Sequence, residues 1–279
     1  MERFITESLI DRFAQELRQQ EKSPSTVAKY LRDVRAFQQF AAGRAVDKEL
    51  VLCYKRQLQQ SYATASANSM LVALGCFFHL FGWEGCRVRL FKCQRRVFRD
   101  RARELSREEY LRLVCAARGR GDARLALLLQ ALCSTGIRVS EHRFITVDAA
   151  RTGRARVCNK GKERLVLLPR ELCRALREYC RAEGIRSGAV FVTRHGNPLD
   201  RSNIWAMMKA LCHAARVEPG KVFPHNLRHL FAVSYYALDK DVVRLADLLG
   251  HSSIDTTRIY IATSGDEQAR RLSRLRLIA

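Results

Sequence analysis

The chain has 279 residues, of which 47% are hydrophobic, so it can bury a sizeable core and extensive disorder is excluded. Its 50 Lys and Arg residues outnumber 28 Asp and Glu, and the formal charge of +22 indicates a polyanionic partner, either nucleic acid or an anionic membrane surface. No apolar run approaches the roughly 20 residues of a membrane span, and residues 1–8 lack a signal-peptide layout. We therefore expect a cytoplasmic protein that binds nucleic acid and not a membrane.

Residues 1–90 predict an all-α domain. Apolar side chains recur at three- and four-residue spacing with charged residues between them, which is typical of amphipathic helices. The predicted helices are 1–22, 26–42, 47–60 and 66–81. A small helical domain of this kind can fill a groove of duplex DNA, so we expect a DNA-contacting role.

Residues 91–104 predict a basic linker between two domains, because arginine is frequent there and no apolar periodicity continues through it. One interpretation is a solvated charged stretch. The other is a strap that lies along the phosphate backbone of DNA.

Residues 105–262 predict a second, mainly α-helical domain with a small antiparallel β-sheet. Ser106 and Glu109 form a capping-box pattern at the start of its first helix, and the next helix, 123–134, is apolar on all sides, as expected in a core. Short strands are predicted around 145–147, 155–158, 165–168 and 189–193, and the second and third of these form a hairpin. Further helices are predicted at 171–183, at 202–215, after Pro224 and at 241–249.

Seven polar or ionisable residues are spaced along this second domain. They are, in chain order, Arg138 with Glu141, Lys160 at the hairpin tip, His225 with Arg228, His251 and Tyr260. Each alone has an ordinary structural explanation, such as a pair on one helix face, a solvated turn lysine or a packed aromatic ring. Together they supply one nucleophile, two guanidiniums, two imidazoles and one ammonium, which are the groups that phosphoryl transfer through a phosphotyrosine needs.

The ordered set resembles the tyrosine recombinase (phage integrase) family, and most closely its Xer-like bacterial members. The stretches that carry the resemblance are Thr135–Glu141, Asn159–Arg164, His225–His229, Leu249–Ser253 and Thr257–Tyr260. Their order, the His-x-x-Arg spacing and the interval of nine from His251 to Tyr260 all agree with the family. The resemblance is specific over about 105–262. The N-terminal helices at 1–90 match only the family's general layout, in which this part is a helical core-binding domain. His142 departs from it, because the family usually has an apolar residue there.

The resemblance implies roles around one scissile phosphate. Tyr260 would be the nucleophile that forms a 3′-phosphotyrosyl bond. Arg138 and Arg228 would hold the non-bridging oxygens, and His251 would donate a hydrogen bond to the same phosphate. Planar, permanently charged guanidiniums suit this task because the transition state spreads negative charge over those oxygens.

Three further residues receive supporting roles from the resemblance. Lys160 would protonate the leaving 5′-oxygen, and His225 would assist proton transfer at the tyrosine. Glu141 would support Arg138. The sequence has no acidic cluster suited to Mg²⁺, no Walker-type glycine loop and no C-x-x-C pair among its ten cysteines, so we expect no metal, no ATP and no other cofactor.

The implied function is site-specific recombination of double-stranded DNA through a Holliday junction. The implied assembly is a homotetramer on paired recombination sites, in which a second recombinase could also take part. A tail helix is predicted at 263–279. It either packs on its own domain or remains a frayed basic end, or it docks in trans on a neighbouring protomer, which the resemblance favours. The sequence leaves open a topoisomerase of type IB, a catalytically silent DNA-binding regulator, and the choice among chromosome-dimer resolution, mobile-element integration and inversion.

Overall fold

The computed structural model describes residues 2–92, 101–159, 161–251, 253–261 and 273–275. The chain forms two compact units, an N-terminal unit of residues 1–95 and a C-terminal unit of residues 96–279. The division falls inside the predicted linker, part of which lies outside the described residues. The finer domain boundaries at 90 and 105 stay predictions.

Four helices form the N-terminal unit, as the apolar periodicity predicted. They are α1 (Glu7–Gln19), α2 (Pro24–Ala41), α3 (Lys48–Ser61) and α4 (Thr64–Leu80). Side chains of Thr6, Ser23 and Asp47 cap the first three by accepting a hydrogen bond from a free backbone N–H group. The helices bury an aromatic core that includes Phe13, Phe37, Phe77 and Phe78.

Nine helices and one hairpin are described in the C-terminal unit. The helices are α5 (Arg107–Gly119), α6 (Ala123–Thr135), α7 (Val147–Thr152), α8 (Arg170–Ala182), α9 (Arg201–Ala210), α10 (Cys212–Ala215), α11 (Pro224–Asp239), α12 (Val242–Leu249) and α13 (Ile254–Ile261). Strands β1 (Arg154–Asn159) and β2 (Lys162–Leu167) pair antiparallel, with Arg154 opposite Leu167. The predicted fold class, helices with a small antiparallel sheet, is confirmed.

Two predicted strands are absent from the described part of this unit. The segment 145–147 makes only one isolated bridge, between Thr146 and Ala189, and then enters α7. The Thr146 side chain accepts from the backbone N of Ala149 at 3.0 Å, so it caps the helix. Local capping thus prevails over the β-branched pattern of this segment. The segment 189–193 likewise forms isolated bridges instead of a strand.

The end of α6 packs against α11, which in turn contacts α12 and α13. These four helices bring together the segments that hold the predicted catalytic residues. In the described ranges, no helix has both the length and the apolar composition needed to cross a membrane. The predicted tail helix at 263–279 lies outside the described residues, apart from 273–275.

Candidate active site

A cleft of about 510 Å³ opens where the loop after α6 meets α11 and α13. Five of the six predicted catalytic residues line it: Arg138, His225, Arg228, His251 and Tyr260. Residues that are 122 positions apart in the chain, Arg138 and Tyr260, therefore share one site. Lys160 lies outside the described residues, so its place in the site stays a prediction.

Arg228 is the buried cation of the cleft, with 3% of its surface exposed. Its guanidinium donates to the carbonyls of Gly136 and, at 2.7 Å, Leu249, and it contacts His251 Nε2 at 2.9 Å. Burial, followed by the nearby charge of Arg138, lowers the pKa of Arg228 to about 10. The group still carries its charge at neutral pH, so this site has a fixed positive centre.

Arg138 is more exposed, and Glu141 holds it from below. Glu141 accepts from the Arg138 backbone N at 2.8 Å and from its Nη1 at 3.0 Å. The carboxylate of Glu141 is only 2% exposed and also pairs with Arg164 Nη2 at 2.6 Å. One buried carboxylate therefore sets the position of two arginines, which agrees with the supporting role expected of Glu141.

The carbonyls that end α12, residues 248–250, accept hydrogen bonds from three arginines in turn. Arg164 donates to the carbonyl of residue 248 at 2.8 Å, and Arg228 donates to that of residue 249 at 2.7 Å. Arg138 donates to that of residue 250 at 3.4 Å. The free carbonyls at a helix C-terminus carry partial negative charge, so cations are favoured there. This helix end fixes the spacing of the guanidiniums and of the His251 loop that follows it.

Arg164 was in a stretch that carried the family resemblance, but sequence reasoning gave it no role. Its place on β2 connects the hairpin to Glu141 and to the end of α12. Gly250 makes this approach possible, because a Cβ there would lie 2.4 Å from Arg164 Cδ and its φ is +64°. The signals available in the sequence were its place in a stretch that carries the resemblance and its position three residues after Gly161.

His251 is fixed by contacts from both ring nitrogens. Its Nδ1 lies 2.8 Å from the Thr257 hydroxyl, and its Nε2 faces the Arg228 guanidinium. Burial and the adjacent arginines lower the pKa of His251 to about 4, so the ring is neutral at pH 7. Since Arg228 can only donate, Nε2 acts as the acceptor here. The predicted hydrogen bond from His251 to a phosphate therefore requires a proton at Nε2 that this arrangement lacks.

Tyr260 is buried at the floor of the cleft, with 3% of its surface exposed. Three histidine rings surround it: His251 is stacked at 5.9 Å, His229 lies at 5.2 Å and His225 at 6.4 Å between ring centroids. Burial lowers the pKa of His225, and the neighbouring Arg228 adds to this effect. A neutral His225 is able to accept a proton near the tyrosine.

Helix α9 adds two residues to the cleft that sequence reasoning missed. Arg201 and Trp205 line its outer rim, and Trp205 is 50% exposed. Lys209 Nζ lies 5.1 Å above the indole ring, so a cation is held over an exposed aromatic face. The signal available in the sequence was a tryptophan, one of two in the chain, within a predicted helix.

Comparison with known proteins identifies the family of this chain. Residues 103–267 match the phage integrase family, and residues 10–85 match the phage integrase N-terminal SAM-like domain. The chain belongs to the phage integrase family. The predictions of the family and of a tyrosine-type site-specific recombinase are thereby confirmed, and the two alternatives are not favoured.

Individual relatives align over nearly the whole length of this chain. It is 29% identical over 279 residues to tyrosine recombinase XerA of Thermococcus kodakarensis, with 97% of this chain and 96% of the relative covered. Among solved structures, XerH bound to its difH substrate aligns with a TM-score of 0.72 at 18% identity, over 96% of this chain and 84% of that one. A lambda integrase tetramer bound to a Holliday junction aligns with a TM-score of 0.71 at 18% identity, over 91% and 76%. These structures share the fold.

Proposed function

We propose that this cleft cuts and rejoins one DNA strand at a time. The Tyr260 oxygen attacks a scissile phosphate, the bond from phosphorus to the 5′-oxygen breaks, and the 5′-oxygen leaves with a proton as a hydroxyl. The enzyme stays joined to the 3′-phosphate until a 5′-hydroxyl attacks and releases the tyrosine. The single observation that carries this proposal is a buried tyrosine in the same cleft as two guanidiniums.

The two arginines divide the work of holding the phosphate. Arg228 is buried and held at three points, so it offers a preorganised charge that does not need to reorient during the reaction. Arg138 has a side chain that is 37% exposed, so its guanidinium is accessible to an incoming phosphate while Glu141 holds its position. Both guanidiniums would then stabilise the charge on the non-bridging oxygens.

The histidines and Lys160 handle protons. His225 would take the tyrosine proton, because its ring lies beside Tyr260 and is neutral. Its lowered pKa makes it a weaker base, so its position is the more important factor. A bound phosphate brings negative charge to His251 and raises its pKa, so the ring can acquire the proton it needs to act as a donor. Lys160 would protonate the leaving 5′-oxygen. A bridging 5′-sulfur needs little protonation, so such a substrate should rescue Lys160→Ala but not Arg138→Ala.

We further propose double-stranded DNA with paired sites as substrate and a tetramer as the working assembly. The charge of +22 suits a polyanion, and the aligned lambda integrase is a tetramer on a Holliday junction. The tail at 263–279 would dock in trans on the next protomer, and a partner recombinase could occupy alternate positions. We also propose that the protein acts on DNA in the cytoplasm.

A suicide duplex, which traps the covalent complex because the 5′ fragment diffuses away, tests the nucleophile. Tyr260→Phe should keep DNA affinity and lose the covalent complex entirely. Tyr235→Phe is the matched control, because Tyr235 bonds Asp239 at 3.2 Å and does not line the cleft. Trapping that persists in Tyr260→Phe would overturn the assignment. Relaxation of supercoils without exchange between two sites would indicate a topoisomerase instead.

A further inference from the structure

His229 is a third histidine beside Tyr260, directly after Arg228 in α11. It is buried, and its ring centroid lies 5.2 Å from that of Tyr260 at an angle of 51°. Its Nε2 lies 3.1 Å from Oε1 of Glu104, and the two side chains are 11% and 21% exposed. None of the roles assigned above uses this pair.

The segment that carries Glu104 is itself fixed to α11. Asn226 Nδ2 donates to the carbonyls of Arg103 and Lys221, each at 2.8 Å. The backbone at 103–104 is therefore held one helical turn away from His229. Since the backbone that carries Glu104 is already held, the pair with His229 requires only the ordering of the two side chains.

Orientation of the His229 ring needs the carboxylate. Rotation about the bond that carries an imidazole ring has broad and nearly twofold preferences, so packing alone does not select one ring direction. The contact from Nε2 to Glu104 favours the observed direction. The His229 ring lies tilted against Tyr260, which also belongs to a buried apolar cluster with Ala232, Leu245 and Leu249.

We propose that His229, oriented by Glu104, is a positioning residue that fixes the Tyr260 ring for attack. The proposal rests on the proposed role of Tyr260 as nucleophile. The attacking oxygen must lie in line with the leaving 5′-oxygen, and a displacement of about 1 Å at a reacting atom can lower a rate by about 100-fold. Loss of the imidazole lets the ring shift into the vacated space.

Single-turnover cleavage of the suicide duplex measures this effect. His229→Ala should slow cleavage by about 10-fold or more, within the range of a misplaced reacting group. Glu104→Gln should slow it less, and His229→Gln, whose side-chain amide can still donate to Glu104, should recover much of the rate. The double variant Glu104→Gln with His229→Ala should be no slower than His229→Ala alone.

Lys221→Met is the matched control. The pair Lys221–Glu109 spans 2.9 Å, is buried to a similar extent and also ties the start of the C-terminal unit to the segment before α11. Lys221→Met should leave the cleavage rate within about twofold, because this ion pair does not orient a ring that contacts Tyr260. Equal slowing in Lys221→Met and His229→Ala would reduce His229 to a structural role.

The rate of religation distinguishes a positioning role from a general loss of structure, because a general loss of structure would lower this rate as well. In the covalent complex the phosphotyrosyl bond already fixes the Tyr260 oxygen, so attack by an added 5′-hydroxyl strand should proceed at nearly the parent rate in His229→Ala. Equal losses in cleavage and religation, or no loss in cleavage, would overturn the proposal. Covalent complex in Tyr260→Phe would instead remove the proposed function itself, so the two failures are distinguishable.

Discussion

The two units bury different kinds of side chain. The N-terminal core is aromatic, and Phe37 contacts Tyr54 and Phe78 at centroid distances of 5.0 and 6.0 Å. Among the described residues, one buried polar or charged side chain, Asp33, belongs to this unit, whereas the C-terminal unit has seven. These are Thr135, Glu141, His142, Asn226, Arg228, His229 and Thr257.

The difference shows where the molecule accepts an energetic cost. Burial of a charged group is unfavourable unless its partners offset the lost hydration. In the C-terminal unit those partners are the helix-end carbonyls at 248–250 and the carboxylate of Glu141. Buried ionisable groups that are held in this way are typical of catalytic centres. The N-terminal core depends mainly on apolar packing, so changes to the two cores should have different consequences.

The largest effect on stability is expected in the aromatic core. Phe37→Ala should lower the free energy of unfolding by about 3–5 kcal/mol, because a fully buried ring leaves a cavity. Urea unfolding with hydrogen exchange resolved by segment should assign the loss to residues 1–95. The control Leu52→Ala, at a side chain that is 41% exposed, should stay within about 0.5 kcal/mol. Similar losses in both variants would contradict a packing-dominated core.

A comparison of the two arginines proposed to hold the phosphate separates chemistry from stability. Arg228→Ala and Arg138→Ala should each slow cleavage by about 100-fold or more, while DNA affinity, spread over many phosphate contacts, changes far less. Arg228→Ala leaves the carbonyls of Gly136 and Leu249 without this donor, so it should cost about 1–3 kcal/mol of stability. Arg138→Ala should cost less, because the Glu141 carboxylate keeps Arg164 as a partner. Equal losses of affinity and cleavage in either variant would point to a binding role.

The sequence predicted what depends on local pattern. Apolar periodicity located the four N-terminal helices, and the turn at Gly161 located the hairpin. The order of motifs predicted that Arg138, Arg228 and Tyr260 work together. It did not predict the contacts that hold them, because Arg138 meets Gly250 across 112 positions and Arg164 meets Leu248 across 84. Such contacts depend on the packing of α6, α11 and α12, which no single segment encodes.

Acidification should weaken the C-terminal unit through His251. The folded pKa of about 4 lies below the ordinary value of 6.5, so the unfolded chain binds more protons between these values. Stability is therefore fully retained above about pH 6.5 and falls as the pH approaches 4. The variant His251→Gln, measured by urea unfolding at pH 7 and pH 5, should lose less than the parent chain. An equal pH dependence in both would show that His251 does not titrate in this way.

The smallest expected effect concerns His142, the residue at which the chain departs from the family. It is 3% exposed, its Nδ1 contacts the Val139 carbonyl, and among the described residues its Nε2 has no hydrogen-bond partner. His142→Leu removes an unsatisfied buried nitrogen but also the contact to Val139. These effects oppose each other, so the free energy of unfolding at pH 7 should change by less than about 1 kcal/mol.

The pH dependence of His142→Leu distinguishes this explanation from simple repacking. Burial lowers the pKa of His142, so the parent chain must exclude a proton from this site as the pH falls below about 6.5. Leucine does not titrate, so the variant should become the more stable protein at pH 5 although the two are nearly equal at pH 7. Cleavage at pH 7 should be unchanged, because His142 does not line the cleft. A constant stability difference at both pH values would show that volume, and not the unsatisfied nitrogen, determines the outcome at this position.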